Sequence, residues 1–395
     1  MKNTNRTVLA KRMDLLQAEG AYAVLNKATQ LERKGKKIIH FEIGQPDFPT
    51  PKNISEAGIK AIRAGFTKYN PPLGILPLRL EIAKELNKTR KLNVTENNIA
   101  VTPSGKAAIF ITMASVLEKG DEVIYPDPGF PTYHTLIDYF GSIKKPIPLV
   151  EKNNFSFDMK KFRKYFSKKT KLIILNSPSN PTGGLMPIED LREIAETIKG
   201  TSCWVMTDEM YSKIVYDTAI YPSFYGLKGI QDQTILVDGF SKTYSMTGWR
   251  IGYMSCPKRI IDKIDYLLTH TVGCTATFTQ MAVLEGMKSK QLQLKTMVKE
   301  FKKRRDFVVS ELNRIKGVNC QIPLGAFYAF PNISSFKKSS RWLANYILEN
   351  AGVALLDGTA FGTYGEGYFR ISYAASLDNL REGIARIKKA LLKLS

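Results

Sequence analysis

Residues 241–252 read SKTYSMTGWRIG, and this stretch bears most heavily on the fold and its chemistry. Lys242 follows a short apolar run, sits among small residues, and is followed eight positions later by Arg250. That arrangement suits a lysine amine that condenses with an aldehyde while a guanidinium holds a phosphate nearby. In a chain with 58 Lys and Arg residues, a single lysine is ordinarily a solvated charge. Lys242 is set apart by the motifs around it.

Working outward, the middle of the chain alternates β-branched runs with helical stretches, the pattern of a largely parallel sheet covered by helices. Strands are expected at 99–102, 122–125, 171–175, 203–207, 234–237 and 251–254. Helices are expected at 78–86, 106–117, 188–198 and 259–268, the first entered through Pro77, whose fixed φ suits a helix start. From about residue 290 the character changes. A long charged amphipathic stretch, 292–315, precedes expected strands at 325–331 and 368–373 and helices at 341–350 and 379–394. This end reads as a smaller α+β unit. There is no internal repeat and no low-complexity linker.

The 395 residues allow two domains, or one large domain with an extension. An apolar fraction of 44% with 10% aromatics supports sizeable cores and argues against disorder. The segment MKNTNRTVLAKRMD lacks the apolar stretch of a signal peptide. No apolar run approaches the roughly 18 residues of a membrane helix. Cys203, Cys256, Cys274 and Cys320 match neither a disulfide framework nor close-spaced zinc pairs. His40, His134 and His270 are little material for a metal site. The expectation is a cytoplasmic protein with no metal and no membrane partner.

The formal net charge is +22, with basic clusters at 33–37, 160–171 and 302–305. Such a charge can bind polyanions through counterion release. These clusters are separated and mostly lysine, and no helix-turn-helix extension or stacking-aromatic motif accompanies them. They read as solvated faces, so no nucleic-acid partner is expected. The charge mildly favours anionic substrates and a phosphate.

Polar residues fall at the ends of the expected strands. Ser104, Gly105 and Lys106 follow one strand and open a helix; Asn180 lies in the loop after another; Asp208 ends a third; Lys242 lies just beyond a fourth. In open α/β sheets, ligands gather outside the carboxyl ends of the strands. Ser104-Gly105-Lys106 can cradle a phosphate, because a helix start offers free N–H groups and glycine permits close approach. Ser-Gly also caps helices for purely structural reasons. Arg250 could supply a second phosphate contact.

Together with NSPSNPTGG (176–184), TDEMY (207–211), DPGFPTY (127–133), YFRISYA (368–374), EIGQPDFPTP (42–51) and TKYNPPLG (67–74), these residues make the chain resemble the class I/II pyridoxal-phosphate-dependent aminotransferases of aspartate-aminotransferase type. The resemblance runs from about residue 15 to about residue 390, with the motifs in family order. It implies an α/β fold, pyridoxal-phosphate transferase fold type I. A large domain, 47–290, would carry a mostly parallel sheet covered by helices. A small α+β domain, 291–395, would be joined by the segment 1–46.

The resemblance also implies roles. Lys242 would form the Schiff base with pyridoxal 5'-phosphate and serve as the general base. Asp208 would pair with the pyridine nitrogen, Tyr211 and Asn180 would hydrogen-bond the ring oxygen, and Phe130 would stack on the ring. Plainer readings stand beside two of these: a strand-end aspartate capping a loop, and a core phenylalanine. Arg370 would grip the substrate's α-carboxylate beside the backbone of Gly44. Tyr69 would reach the phosphate in a neighbouring subunit, making a homodimer with shared active sites. One departure stands out. Many relatives have a serine three residues before the lysine, where this chain has Gly239; Ser241 is the available substitute.

The implied activity is ping-pong transfer of an amino group from an L-amino acid to a 2-oxo acid. C–S lyases and amino-acid oxidases on the same fold would use the same lysine and aspartate, and would release ammonia. A cofactor-sensing regulator would need an added DNA-binding domain, for which no residues are spare. The donor stays open. Lys106 is either the lysine that reaches a substrate's distal carboxylate in one aspartate-preferring branch or a plain helix-start lysine. Against the first stands the segment Gln17-Ala18-Glu19-Gly20-Ala21-Tyr22, where such branches carry basic and hydroxyl residues.

Overall fold

A computed structural model of the protein describes residues 9–16, 18–217 and 221–394; Gln17 of the amino-terminal segment lies outside them. The centre is an eight-stranded sheet. Across it run Ile99–Thr102, Gly252–Ser255, Thr234–Gly239, Trp204–Asp208, Thr170–Asn176, Glu122–Asp127, Ile143–Val150 and Ser156–Phe157. From Thr234–Gly239 to Ile143–Val150 every pairing is parallel. Gly252–Ser255 runs antiparallel to both of its neighbours, and Ser156–Phe157 antiparallel to Ile143–Val150. This is the α/β architecture of fold type I.

The central strands are buried on both faces, as a parallel sheet between helical layers requires. Alternate side chains divide accordingly. Leu172 and Ile174 join the core beneath helices Gly105–Val116 and Lys258–Thr271, whereas Ile173 and Leu175 join the core beneath Met159–Tyr165 and Ile188–Ile198. In Ile188–Ile198 the buried residues are Leu191, Ile194, Ala195 and Ile198, the three-and-four spacing of a helix with one apolar stripe. A third core packs Leu76–Arg90 and Thr277–Lys288 over the opposite sheet edge.

Beyond residue 290, Leu292–Asn313, Ser340–Ala351 and Leu377–Leu391 share a core with an antiparallel three-stranded sheet ordered Tyr328–Ala329, Phe369–Ser372, Leu356–Asp357. The amino-terminal segment joins this unit: Ile39–His40 pairs in parallel with Val353–Ala354, and Phe41 is fully buried in the same core.

Several boundaries differ from the sequence expectation for identifiable reasons. The strand expected at 325–331 shrinks to Tyr328–Ala329, since Ala326 takes a left-handed φ of 55°. The strand expected at 251–254 begins one residue later, after Arg250 at φ 56°. Ile143–Val150 was not expected at all. Its prolines, Pro146 and Pro148, remove ladder donors and argue against a strand, and it lies next to the sheet edge, where they are tolerated. Among the described residues no helix is long and apolar enough to cross a membrane.

Candidate active site

The carboxyl ends of the parallel strands open onto a cavity of about 620 Å³ between the sheet and the smaller unit. Ser104, Gly105, Lys106 and Phe130 line one side; Asn180, Asp208 and Tyr211 the floor; Ser241, Lys242 and Arg250 another side; Gly44 and Arg370 come from the smaller unit's side. Of the residues singled out from sequence, Tyr69 stands apart: it does not line the cavity of its own chain and is 96% exposed.

Lys242 sits in the single helical turn Phe240–Thr243 that follows strand Thr234–Gly239. Its Nζ donates to the Gly44 carbonyl. Burial, reinforced by the charges of Arg370 and Arg250, pulls its pKa down to about 8. A lysine so placed offers a neutral amine far more readily than a surface lysine does. Asp208, the last residue of strand Trp204–Asp208, accepts from the Tyr133 hydroxyl at 2.6 Å and the Met210 N–H at 3.1 Å. Burial raises its pKa to about 6, and these two donors oppose that rise. The carboxylate is therefore well suited to face a cation.

Arg370 is buried, and burial lowers its proton affinity. One terminal nitrogen donates to Asn180 Oδ1 at 3.3 Å and the other to the Glu42 carbonyl, while Nε has no partner. A buried guanidinium with an unmade bond can take a carboxylate. The hydroxyls of Tyr211 and Tyr328 lie 2.7 Å apart. A Cβ on Gly44 would stand 2.3 Å from the Tyr328 oxygen, so only glycine allows this approach.

At the opposite end, Ser104 Oγ accepts from the Ala107 N–H at 3.0 Å and caps helix Gly105–Val116. The helix start faces the cavity together with Arg250, whose left-handed backbone and bond to the Thr247 carbonyl, 2.7 Å, set its direction. Gly239 brings no hydroxyl, whereas buried Ser241 lines the cavity. Lys106 Nζ lies 2.7 Å from Glu19 Oε2 and 5.2 Å from the centre of the Phe130 ring. Phe130 in turn meets Tyr133 edge-on at 5.8 Å.

Sequence reading missed Tyr133 and Tyr328. The signal for Tyr133 was its place three residues after Phe130, one helical turn on at the start of Thr132–Tyr139. Tyr328 carried no such signal, because its contact with Tyr211 spans 117 positions.

Taken together, the groups can bind an anion at a helix start, a carboxylate at Arg370 and a cationic nitrogen at Asp208, around one buried amine. The model of the family described as aminotransferase class I and II matches residues 36–387. The chain is 38% identical to a probable aspartate/prephenate aminotransferase of Aquifex aeolicus, over 98% of this chain and 99% of that protein. Its fold is similar to the crystal structure of an aspartate aminotransferase from Rhizobium meliloti, with a TM-score of 0.94 at 31% identity over 99% of this chain and 100% of that one. It is likewise similar to an aromatic aminotransferase from Pyrococcus horikoshii, with a TM-score of 0.91 at 34% identity over 98% and 100%. With a family match over nearly its whole length and relatives covered end to end, the chain belongs to the class I and II aminotransferases, of aspartate-aminotransferase type.

Proposed function

We propose that this aminotransferase holds pyridoxal 5'-phosphate at Lys242 and moves the amino group of an L-amino acid to a 2-oxo acid in two half-reactions. The observation that carries the reading is the convergence, in one cavity, of the Lys242 amine, the Asp208 carboxylate and an Arg370 guanidinium with a free donor. When bound, the cofactor supplies the carbonyl that takes the amino group and the electron sink that acidifies the substrate's Cα. Ser104, Gly105, Lys106, Ser241 and Arg250 would hold its phosphate. Asp208 would keep its ring nitrogen protonated, with Asn180 and Tyr211 on the ring oxygen and Phe130 against the ring face.

Arg370 and the backbone at Gly44 would orient the substrate through its α-carboxylate, and so decide which bond at Cα is labile. With its amine free, Lys242 would be the base that moves the proton at the substrate's Cα, a role worth about 10²–10⁴-fold for a positioned group. We assign Tyr69 to the phosphate site of a second copy, which makes the functional unit a homodimer; its high exposure within one chain supports this. Division of the chain at 46 and 290 belongs to the same reading, supported by the pairing of Ile39–His40 with Val353–Ala354. So does a cytoplasmic setting, supported by four cysteines that are all free.

The test is the visible absorbance of the holoenzyme before and after single L-amino acids, with ammonia assayed alongside. Bleaching without ammonia, reversed by a 2-oxo acid, is expected, and Lys242→Ala should lose both the lysine-linked band and turnover. Ammonia in step with substrate loss would instead assign the lyase or oxidase chemistry. An unaltered spectrum and full activity in Lys242→Ala would overturn the role of the lysine.

A further inference from the structure

Six buried polar side-chain atoms lack a hydrogen-bond partner among the described residues, and two of them are of opposite charge and on joined residues: Glu42 Oε2 and Arg370 Nε. The join is the bond from another Arg370 nitrogen to the Glu42 carbonyl. Burial lowers the proton affinity of Arg370, and the phenols of Tyr328 and Tyr211 and the carboxylates of Glu19 and Glu42 oppose that fall. An enclosed carboxylate that acts on a guanidinium would ordinarily take its free nitrogen. Here it does not.

The Glu42 side chain is turned instead toward His40, the last residue of strand Ile39–His40. His40 Nδ1 lies 2.7 Å from Glu42 Oε1, and Nε2 lies 3.0 Å from Oε1 of Glu32, near the end of helix Gly20–Arg33. With a carboxylate at each ring nitrogen both must donate, so the ring carries its second proton. The bond to Glu42 outweighs the cost of burial and, with Glu32, raises the His40 pKa to about 9. Glu42 is fully enclosed, whereas His40 and Glu32 reach solvent. None of the three lines the cavity.

We propose that His40 is a positioning residue for substrate binding: as the cation that occupies Glu42, it keeps that carboxylate off Arg370 and leaves Arg370 open to the substrate's α-carboxylate. The inference rests on the α-carboxylate role proposed above for Arg370. Without a charge at position 40, Glu42 is an enclosed carboxylate without a cation, and the guanidinium already bonded to its main chain is the cation at hand. Substrate then binds more weakly in proportion to the fraction of Arg370 still free. Lys242 and Asp208 are untouched by the exchange, so the chemical step keeps its rate.

The experiment follows single-turnover bleaching of the holoenzyme by L-aspartate, L-phenylalanine and L-alanine, which separates the half-saturating concentration from the limiting rate. His40→Gln should raise the half-saturating concentration about ten-fold, as when roughly one Arg370 in ten stays free, with the limiting rate unchanged. Two variants should recover the lost binding: His40→Lys, which returns a cation, and His40→Gln combined with Glu42→Gln, which removes the competing charge and keeps the shape. Wild-type binding in His40→Gln, a weakening that neither variant reverses, or an equal loss in the limiting rate would overturn the proposal. If His40→Gln fails to fold with its cofactor, the two recovering variants decide by the same values. Arg370→Ala is the control: no rise for the same amino acids would overturn the α-carboxylate reading itself, and a rise there with none in His40→Gln would overturn this inference alone.

Discussion

Arg370 keeps its charge in an enclosed position because a guanidinium remains protonated even where burial lowers its affinity for the proton. Its Nε is a buried donor without a partner, a state that favours an arriving carboxylate. Arg370→Ala should therefore raise KM by about 100-fold, the loss typical of truncating one side of a buried charge pair. The rise should appear for every amino acid tried; a rise for one alone would show that the α-carboxylate is held elsewhere. Tyr133 acts through Asp208. Its hydroxyl favours the ionised carboxylate, so Tyr133→Phe should raise the Asp208 pKa further. Asp208 is ionised above its pKa, so the acid limb of the kcat profile should move to higher pH with KM little changed. A uniform loss of activity at every pH would reduce Tyr133 to packing.

At the scale of elements, the end of the cavity at Ser104–Lys106 depends on how closely a helix start can approach a strand. A Cβ on Gly252 would lie 2.6 Å from the Gly105 nitrogen and 2.8 Å from the Ser104 carbonyl carbon, both backbone atoms that cannot rotate away. Gly252→Ala should push the Ser104–Lys106 turn outward and weaken cofactor binding by about ten-fold, measured by titrating apoenzyme; strain of about 1–3 kcal/mol is usual for overpacking. Unchanged affinity would mean that the turn yields without consequence. This contact was not legible in the sequence, where Gly252 and Gly105 are 147 positions apart. By contrast, helix Ile188–Ile198 was legible residue for residue, because its apolar spacing is local and Pro187 precedes it.

For the whole molecule, the sheet is tied to its covering helices by charge as well as by apolar packing. Arg90, at the end of helix Leu76–Arg90, lies 2.9 Å from Glu209, just after one central strand, and 3.4 Å from Asp238, the last residue but one of another. All three are buried. Asp238 is lifted to about pKa 6 by burial even with Arg90 beside it. Arg90→Ala would leave two enclosed carboxylates without their cation, at a cost of about 3–5 kcal/mol. A shift of that size should appear in urea unfolding of the holoenzyme; a loss below about 1 kcal/mol would mean that water enters and replaces the guanidinium. Replacement by methionine, which fills the space, should not rescue stability, because it gives the two carboxylates no donor in place of the guanidinium.

By itself the sequence determined which polar residues stand at the ends of the strands and on which elements they ride. Lys242, Asn180 and the Ser104–Lys106 turn each follow an apolar strand and Asp208 ends one, and that order is a local property of the chain. It could not determine what meets what across the cavity. The Tyr133–Asp208 bond, the Tyr211–Tyr328 contact, the seating of Gly44 against Tyr328 and the Lys106–Glu19 pair join positions between 75 and 284 residues apart or depend on such joins. Their existence follows from parallel strands ending at one rim and from the smaller unit folding back over it. Only the tertiary structure decided that Lys106, at the start of one helix, is paired with Glu19, just before another.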